Sequence, residues 1–131
     1  MTRDYDGLVA YLESRMRAPF AWGREANDCI SYGVGAILAQ GGQDPVPAGM
    51  TWTSCRGAKR VLKSLGGLEA CVDAALQRVA PAMAMRGDIA LVETDTGPGL
   101  MVVEGDTLIG PGEAGATRRL REDMLIAWSA L

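Results

Sequence analysis

The 131-residue chain has no histidine and only one phenylalanine. Without imidazole it lacks the commonest zinc ligand and the usual base of cysteine hydrolases. With so little Phe, the core must be built from Leu, Val, Ile, Ala and Met. No run of about 18 consecutive apolar residues occurs, so no membrane insertion is expected. The first twenty residues, MTRDYDGLVAYLESRMRAPF, carry acids within their apolar pattern and lack the continuous apolar stretch of a secretory signal. The expected location is cytoplasmic at synthesis. The three cysteines, Cys29, Cys55 and Cys71, are odd in number and form no Cys-x-x-Cys pair. That pattern argues against a disulfide framework and a zinc site, and no metal or other cofactor is expected.

A dominant positive field is also missing. The net charge is −3 and the pI about 4.9, which argues against nucleic acid as a partner. The densest basic stretch, TRRLRED (Thr117 to Asp123), has acidic neighbours and reads as a solvated turn or strand edge. An apolar fraction of 48% and a charged fraction of 22% suit a globular protein, and the length suits one domain spanning residues 1–131.

Hydrophobic spacing divides the chain into a helical half and a strand half. Leu8, Val9, Leu12 and Met16 predict a helix over Asp6 to Arg17, ended by Pro19. Asn27 or Asp28 caps a second helix with Ile30, Val34, Ile37 and Leu38 as its apolar stripe, stopped by Gly41-Gly42. Thr53 or Ser54 caps a third, with Ala58, Val61, Leu62 and Leu65 inward, ended by Gly66-Gly67. A fourth carries Leu68, Val72, Ala75, Leu76 and Val79 and stops before Pro81. Cys55 and Cys71 fall on or beside these apolar stripes and read as small core residues. After Gly87 the period changes. GDIALVE (Gly87 to Glu93) predicts a strand, DTGPG (Asp95 to Gly99) a turn, and LMVVE (Leu100 to Glu104) a strand buried on both faces. Gly105-Asp106 reads as a hairpin turn into TLIG (Thr107 to Gly110), with further strands in ATRRL and LIAWSAL. The fold class expected is α+β, N-terminal helices packed on a small C-terminal antiparallel sheet.

Cys29 is the candidate site residue, a nucleophile active or vestigial. It is predicted in the first turn of a helix, where the helix dipole and free N–H groups favour a thiolate and offer donors to an oxyanion. Asp28, beside it, opposes that by like charge and serves more naturally as the cap. Gly33 lies one turn on, on the same face, where a glycine lets a sheet approach closely. The aromatics of FAWG (Phe20 to Gly23) can wall a groove. Against this stands the ordinary alternative, a cysteine that fills space.

The segments F-x-W-G…D-C-I-S-Y-G-V-G-A-I, G-D-I-A-L-V and L-M-V-V-E-G-D-T-L-I, in this order, resemble the bacterial NlpC-type cysteine peptidases, a papain-like group that cuts cell-wall peptides. The resemblance covers roughly Phe20 to Gly110. It is closer to an uncharacterised subgroup found in phage and prophage tail gene clusters, which shares an aromatic-Gly-…-Asp-Cys segment, a Gly-x-Asp-Pro after the helix (here Gly41-Gly42-Gln43-Asp44-Pro45), the Gly-Asp strand and a terminal Ala-Trp (Ala127-Trp128). It implies a papain-like fold, Cys29 at the nucleophile position and Gly87-Asp88 opening the first strand. The histidine position falls on Gly99, or on Leu100 with a one-residue shift, and the orienting position near Gly110. None of these side chains accepts a proton. The implied function is a tail-associated structural protein of a phage, prophage or phage-like particle with a degraded peptidase site. Its partners would be tail or hub proteins, and its final location a particle tail; Trp52 is a candidate anchor if exposed, the favoured alternative being a tryptophan packed in the core or under a loop. The alternative is an active cysteine hydrolase, a cell-wall peptidase or amidase acting on peptidoglycan peptide. Its base would come from Asp88, Glu93, Glu104 or a partner chain.

Overall fold

The structure, a computed structural model, describes residues 2–131. Four helices come first: α1 (Tyr5–Arg15), α2 (Cys29–Ala39), α3 (Cys55–Ser64) and α4 (Leu68–Asp73). Six strands follow: β1 (Arg78–Val79), β2 (Ile89–Thr94), β3 (Gly97–Val103), β4 (Thr107–Gly110), β5 (Thr117–Leu120) and β6 (Ile126–Trp128). They form one antiparallel sheet in the order β1-β6-β2-β3-β4-β5, so the last strand lies between the first and second. The fold is α+β. No helix is long and apolar enough to cross a membrane among the described residues.

The helix boundaries follow local chemistry. Side-chain oxygens of Asp4, Asp28 and Ser54 accept backbone N–H groups in the first turns of α1, α2 and α3. Gly66-Gly67 ends α3, with the Gly66 and Gly67 N–H groups returning to the carbonyls of Lys63 and Leu62. At the end of α2 the buried Gln40 amide donates to the carbonyls of Ala36 and Gly87 (3.0 and 2.9 Å) and ties the helix to the approach of β2.

The sheet is covered on both faces. Ile89, Leu91, Leu100, Val102, Ile109 and Trp128 pack into the main core with the helices. Ala90, Val92, Met101, Val103, Leu108 and Ala127 form a second cluster with Ala84 and Met124. Double burial is why Leu100 to Val103 reads as a continuous apolar run rather than an alternating one. The second cluster is laced by Arg121, whose guanidinium donates to the carbonyls of Gly105, Pro81 and Ala84.

Three expectations need correction. Val79 lies in β1, not in a fourth helix, which ends at Asp73. Pairing of Arg78 and Val79 with Trp128 and Ala127 holds this backbone extended, and the Trp128 indole donates to Asp73 at 2.8 Å. Leu38 is half exposed and lies off the buried stripe of α2. The predicted turn Asp95 to Gly99 is only two residues long, and Gly97-Pro98-Gly99 belongs to β3. Because β4 pairs only with Val102 and Val103 of β3, this stretch is a local edge where a proline is tolerated. The reading of TRRLRED as a solvated turn or strand edge holds: β5 is the edge strand of the sheet and mostly exposed, and its arginines are paired at that surface. Arg118 pairs with Glu104, Arg119 with Asp123, and Arg121 holds the three carbonyls named above.

Helix α2 lies against β3 through Gly33. A Cβ built there would stand 2.8 Å from the Cβ of Leu100, closer than side chains tolerate. Gly33→Leu is therefore expected to destabilise by about 1–3 kcal/mol or more, measured as a lowered midpoint in urea unfolding. An unchanged midpoint would contradict the close approach.

Candidate functional site

The site is organised by the segment preceding α2. Asp28 is fully buried and accepts four N–H groups. One carboxylate oxygen takes the backbone N–H of Ile30 and Ser31 (3.0 and 2.7 Å); the other takes the Gly23 N–H (3.0 Å) and the Trp52 indole (2.8 Å). The cap of α2 thus also fixes the aromatic loop and the second loop. Ser31 donates back to the Gly23 carbonyl, and the Asn27 amide donates to the carbonyls of Ala18 and Pro19. Trp52 is buried at 3% exposure, the core or loop-packing alternative rather than an exposed anchor. Its ring packs under the Arg24 guanidinium at 5.6 Å, and Arg24 continues to Asp44.

Cys29 is the first residue of α2 and opens into a groove of about 510 Å³. Phe20 and Trp22, edge to face at 5.1 Å, are among its lining residues. Thr94, Asp95 and Thr96 from the β2–β3 turn, and Pro111, Gly112 and Glu113 from the β4–β5 loop, complete it. Backbone hydrogen bonds from Phe20 to Gly112 and from Ala116 to Met16 (2.8 and 2.9 Å) hold the aromatic loop against the β4–β5 loop.

The expectation that the helix start lowers the thiol's pKa is overturned. Burial, and then the charge of Asp28, push Cys29 up from the ordinary 9.0 to about 11. Backbone hydrogen bonding at Cys29 and Leu100 pulls the other way but is outweighed. The thiol is protonated at neutral pH. Gly99 faces it directly: a Cβ there would lie 3.0 Å from the Cys29 sulfur and 3.1 Å from its Cβ. Leu100 instead presses its side chain against Gly33. The space above Gly110 is filled by Met101, 3.1 Å from a Cβ built at that position.

None of the three acidic candidates lines the groove. Asp88 is buried, ion-paired with Arg3 at 2.7 Å and bonded to the Met85 N–H. It neighbours Gly87, which Gln40 holds at the opposite end of α2 from Cys29. Glu104 is held by Thr107 and Arg118. Glu93 is exposed and does not line the groove. The carboxylates that do line it, Asp95 and Glu113, were not singled out from the sequence. Both sit in Gly- and Pro-bounded turns of the kind read as solvent-facing, and they meet only because two loops reach the same end of the sheet. The signal available was their place in the turns that follow β2 and β4. No cationic side chain is among the groove's lining residues. Among the described residues no cluster of three metal-ligating side chains forms.

Two measurements check this construction. Asp28→Ala strands several buried donors and is expected to cost about 3 kcal/mol or more, with a shift in Trp52 fluorescence; a variant as stable as the parent would refute the four-donor role. Iodoacetamide labelling of Cys29 is expected to be slow at neutral pH and to keep rising with pH without levelling off before about pH 11. The sign follows from the raised pKa. The protonated thiol's contribution to stability is complete below pH 9 and is lost as pH climbs through 11. Fast labelling at pH 7 would reverse the assignment.

No curated protein matches this chain. The family described as "Domain of unknown function (DUF6950)" matches residues 2–130, nearly the entire chain, and the protein belongs to that family.

Proposed function

We propose that this protein is a non-catalytic, structural member of the papain-like, NlpC-type group that works in the tail of a phage, prophage or phage-like particle. The observation that carries the non-catalytic part is the contact of Cys29 with Gly99. A cysteine nucleophile needs a base within hydrogen-bond reach or a depressed pKa. Here the strand position facing the sulfur bears no side chain, and the thiol is held protonated up to about pH 11. No cationic side chain lines the groove to receive an oxyanion.

The likeness to NlpC-type proteins and the tail setting rest on the sequence segments that resemble that group. The α+β order, with a cysteine opening a helix packed on an antiparallel sheet, accords with them. In this role the partners are tail or hub proteins, and the former cleft is a surface feature rather than a reaction vessel.

Incubation of the purified chain with peptidoglycan-derived peptides, followed by chromatography of the products, is expected to give no cleavage above a Cys29→Ala control. Cleavage that disappears in that control would overturn the proposal in favour of a hydrolase. For the tail setting, the chain is expected to co-purify with particle tails from the native host; a gene outside any phage-like cluster and no association with particles would end that reading.

A further inference from the structure

Helix α3 carries Arg56, Lys59, Arg60 and Lys63, including both lysines of the chain, and no acidic residue. All four cations are exposed, and none forms an ion pair among the described residues. Elsewhere Arg3, Arg24, Arg78, Arg118 and Arg119 are ion-paired and Arg15 and Arg121 hold backbone carbonyls, while Arg17 and Arg86 also form no ion pair among the described residues. Arg56 and Arg60, and Lys59 and Lys63, are spaced four apart, so each pair is stacked on one helix surface with like charges repelling. A protein of net charge −3 has acids to spare for neutralising such a stripe, yet the fold places none there.

Beside this helix lies a second groove of about 500 Å³ between α3 and the β2–β3 turn. Leu62, Leu68 and Pro98 supply apolar surface, and Lys59 and Lys63 stand at the groove. No carboxylate is among its lining residues. Thr96 lines both this groove and the one at Cys29, so the two-residue turn separates a cationic groove from an acidic one.

We infer that the groove between α3 and the β2–β3 turn docks an acidic, leucine-bearing segment of a partner protein. The segment's apolar side chain would seat on Leu62, Leu68 and Pro98 and its carboxylates on Lys59 and Lys63. Charge complementarity selects the acidic partner, and the apolar floor selects a protein segment over a nucleic-acid backbone, which offers charge without an apolar side chain. The inference is independent of the tail reading and of any chemistry at Cys29.

The test uses a fluorescein-labelled 12-residue peptide built of Glu, Leu and Ser, titrated with the full chain and followed by anisotropy. Companion probes are the same peptide with Leu replaced by Ser, the same with Glu replaced by Lys, and a 12-base-pair DNA duplex. The Glu/Leu/Ser peptide is expected to bind and to perturb amide NMR signals of Leu62, Lys63 and Gly97. The double variant Lys59→Glu/Lys63→Glu is expected to weaken binding by about tenfold or more, and Pro98→Ser by a smaller factor. All three positions are exposed, and circular dichroism verifies that the fold is retained. The inference is overturned if no binding occurs, if the signals perturbed lie elsewhere, or if neither variant weakens binding. Equal binding by the leucine-free peptide or the duplex reduces the surface to a general anion-attracting face and also overturns it. Dimerisation of the chain that the double variant abolishes would assign the groove to a second copy instead.

Discussion

The Asp28 carboxylate has no exposure to solvent and four N–H groups directed at it. A buried charge without partners is too costly for a domain of this size to carry, so the carboxylate and its donors have to form together. Its donors come from three separated places, the aromatic loop, the first turn of α2 and Trp52. Those segments therefore hold one arrangement or lose it jointly. The position of Cys29, the depth of the aromatic wall and the burial of Trp52 all follow from this node. So does the state of the thiol. The residue that places a cysteine where a nucleophile belongs is the second-largest cause of its being held protonated, after burial itself.

This combination separates the shape of a catalytic centre from its electrostatics. A helix start contributes a partial positive charge, but only about half an elementary charge at best. Against it stand the burial of the sulfur and the full charge of the neighbouring Asp28. The groove beyond is acidic on both flanking loops. Geometry alone, a cysteine at the head of a helix beside a β-strand, is therefore an incomplete criterion for reactivity.

Much of the fold was legible because its signals are local. Asp28, Ser54 and Gly66-Gly67 set helix ends through hydrogen bonds within a few residues, and the change of hydrophobic period after Gly87 marked the sheet. What was not legible depends on distant partners. Val79 became a strand because Ala127, almost fifty positions away, supplies the pairing edge. Leu38 was assigned to the buried face by its apolar character, although nothing packs over it. The site divides in the same way. Cys29, Phe20 and Trp22 belong to one short segment and were found from it. Asp95 and Glu113 lie in two turns that converge only when the sheet is complete, and of the partners of the TRRLRED arginines Asp123 lies within the stretch itself, while Glu104 and the bonded carbonyls belong to other strands and turns.

The position of β6 has a consequence for how the molecule assembles. The strand that comes last in chain order fills the gap between the first two. Until it arrives, β1 has no neighbour and β2 exposes a row of unpaired backbone groups along one edge. Without β6 the sheet reduces to β2-β3-β4-β5 with β1 detached, and the segment that completes it crosses from the far edge at β5. Non-local closure of this kind slows folding. The open β2 edge also accepts an equivalent segment from a neighbouring molecule, so strand exchange between copies is the characteristic misassembly for this topology.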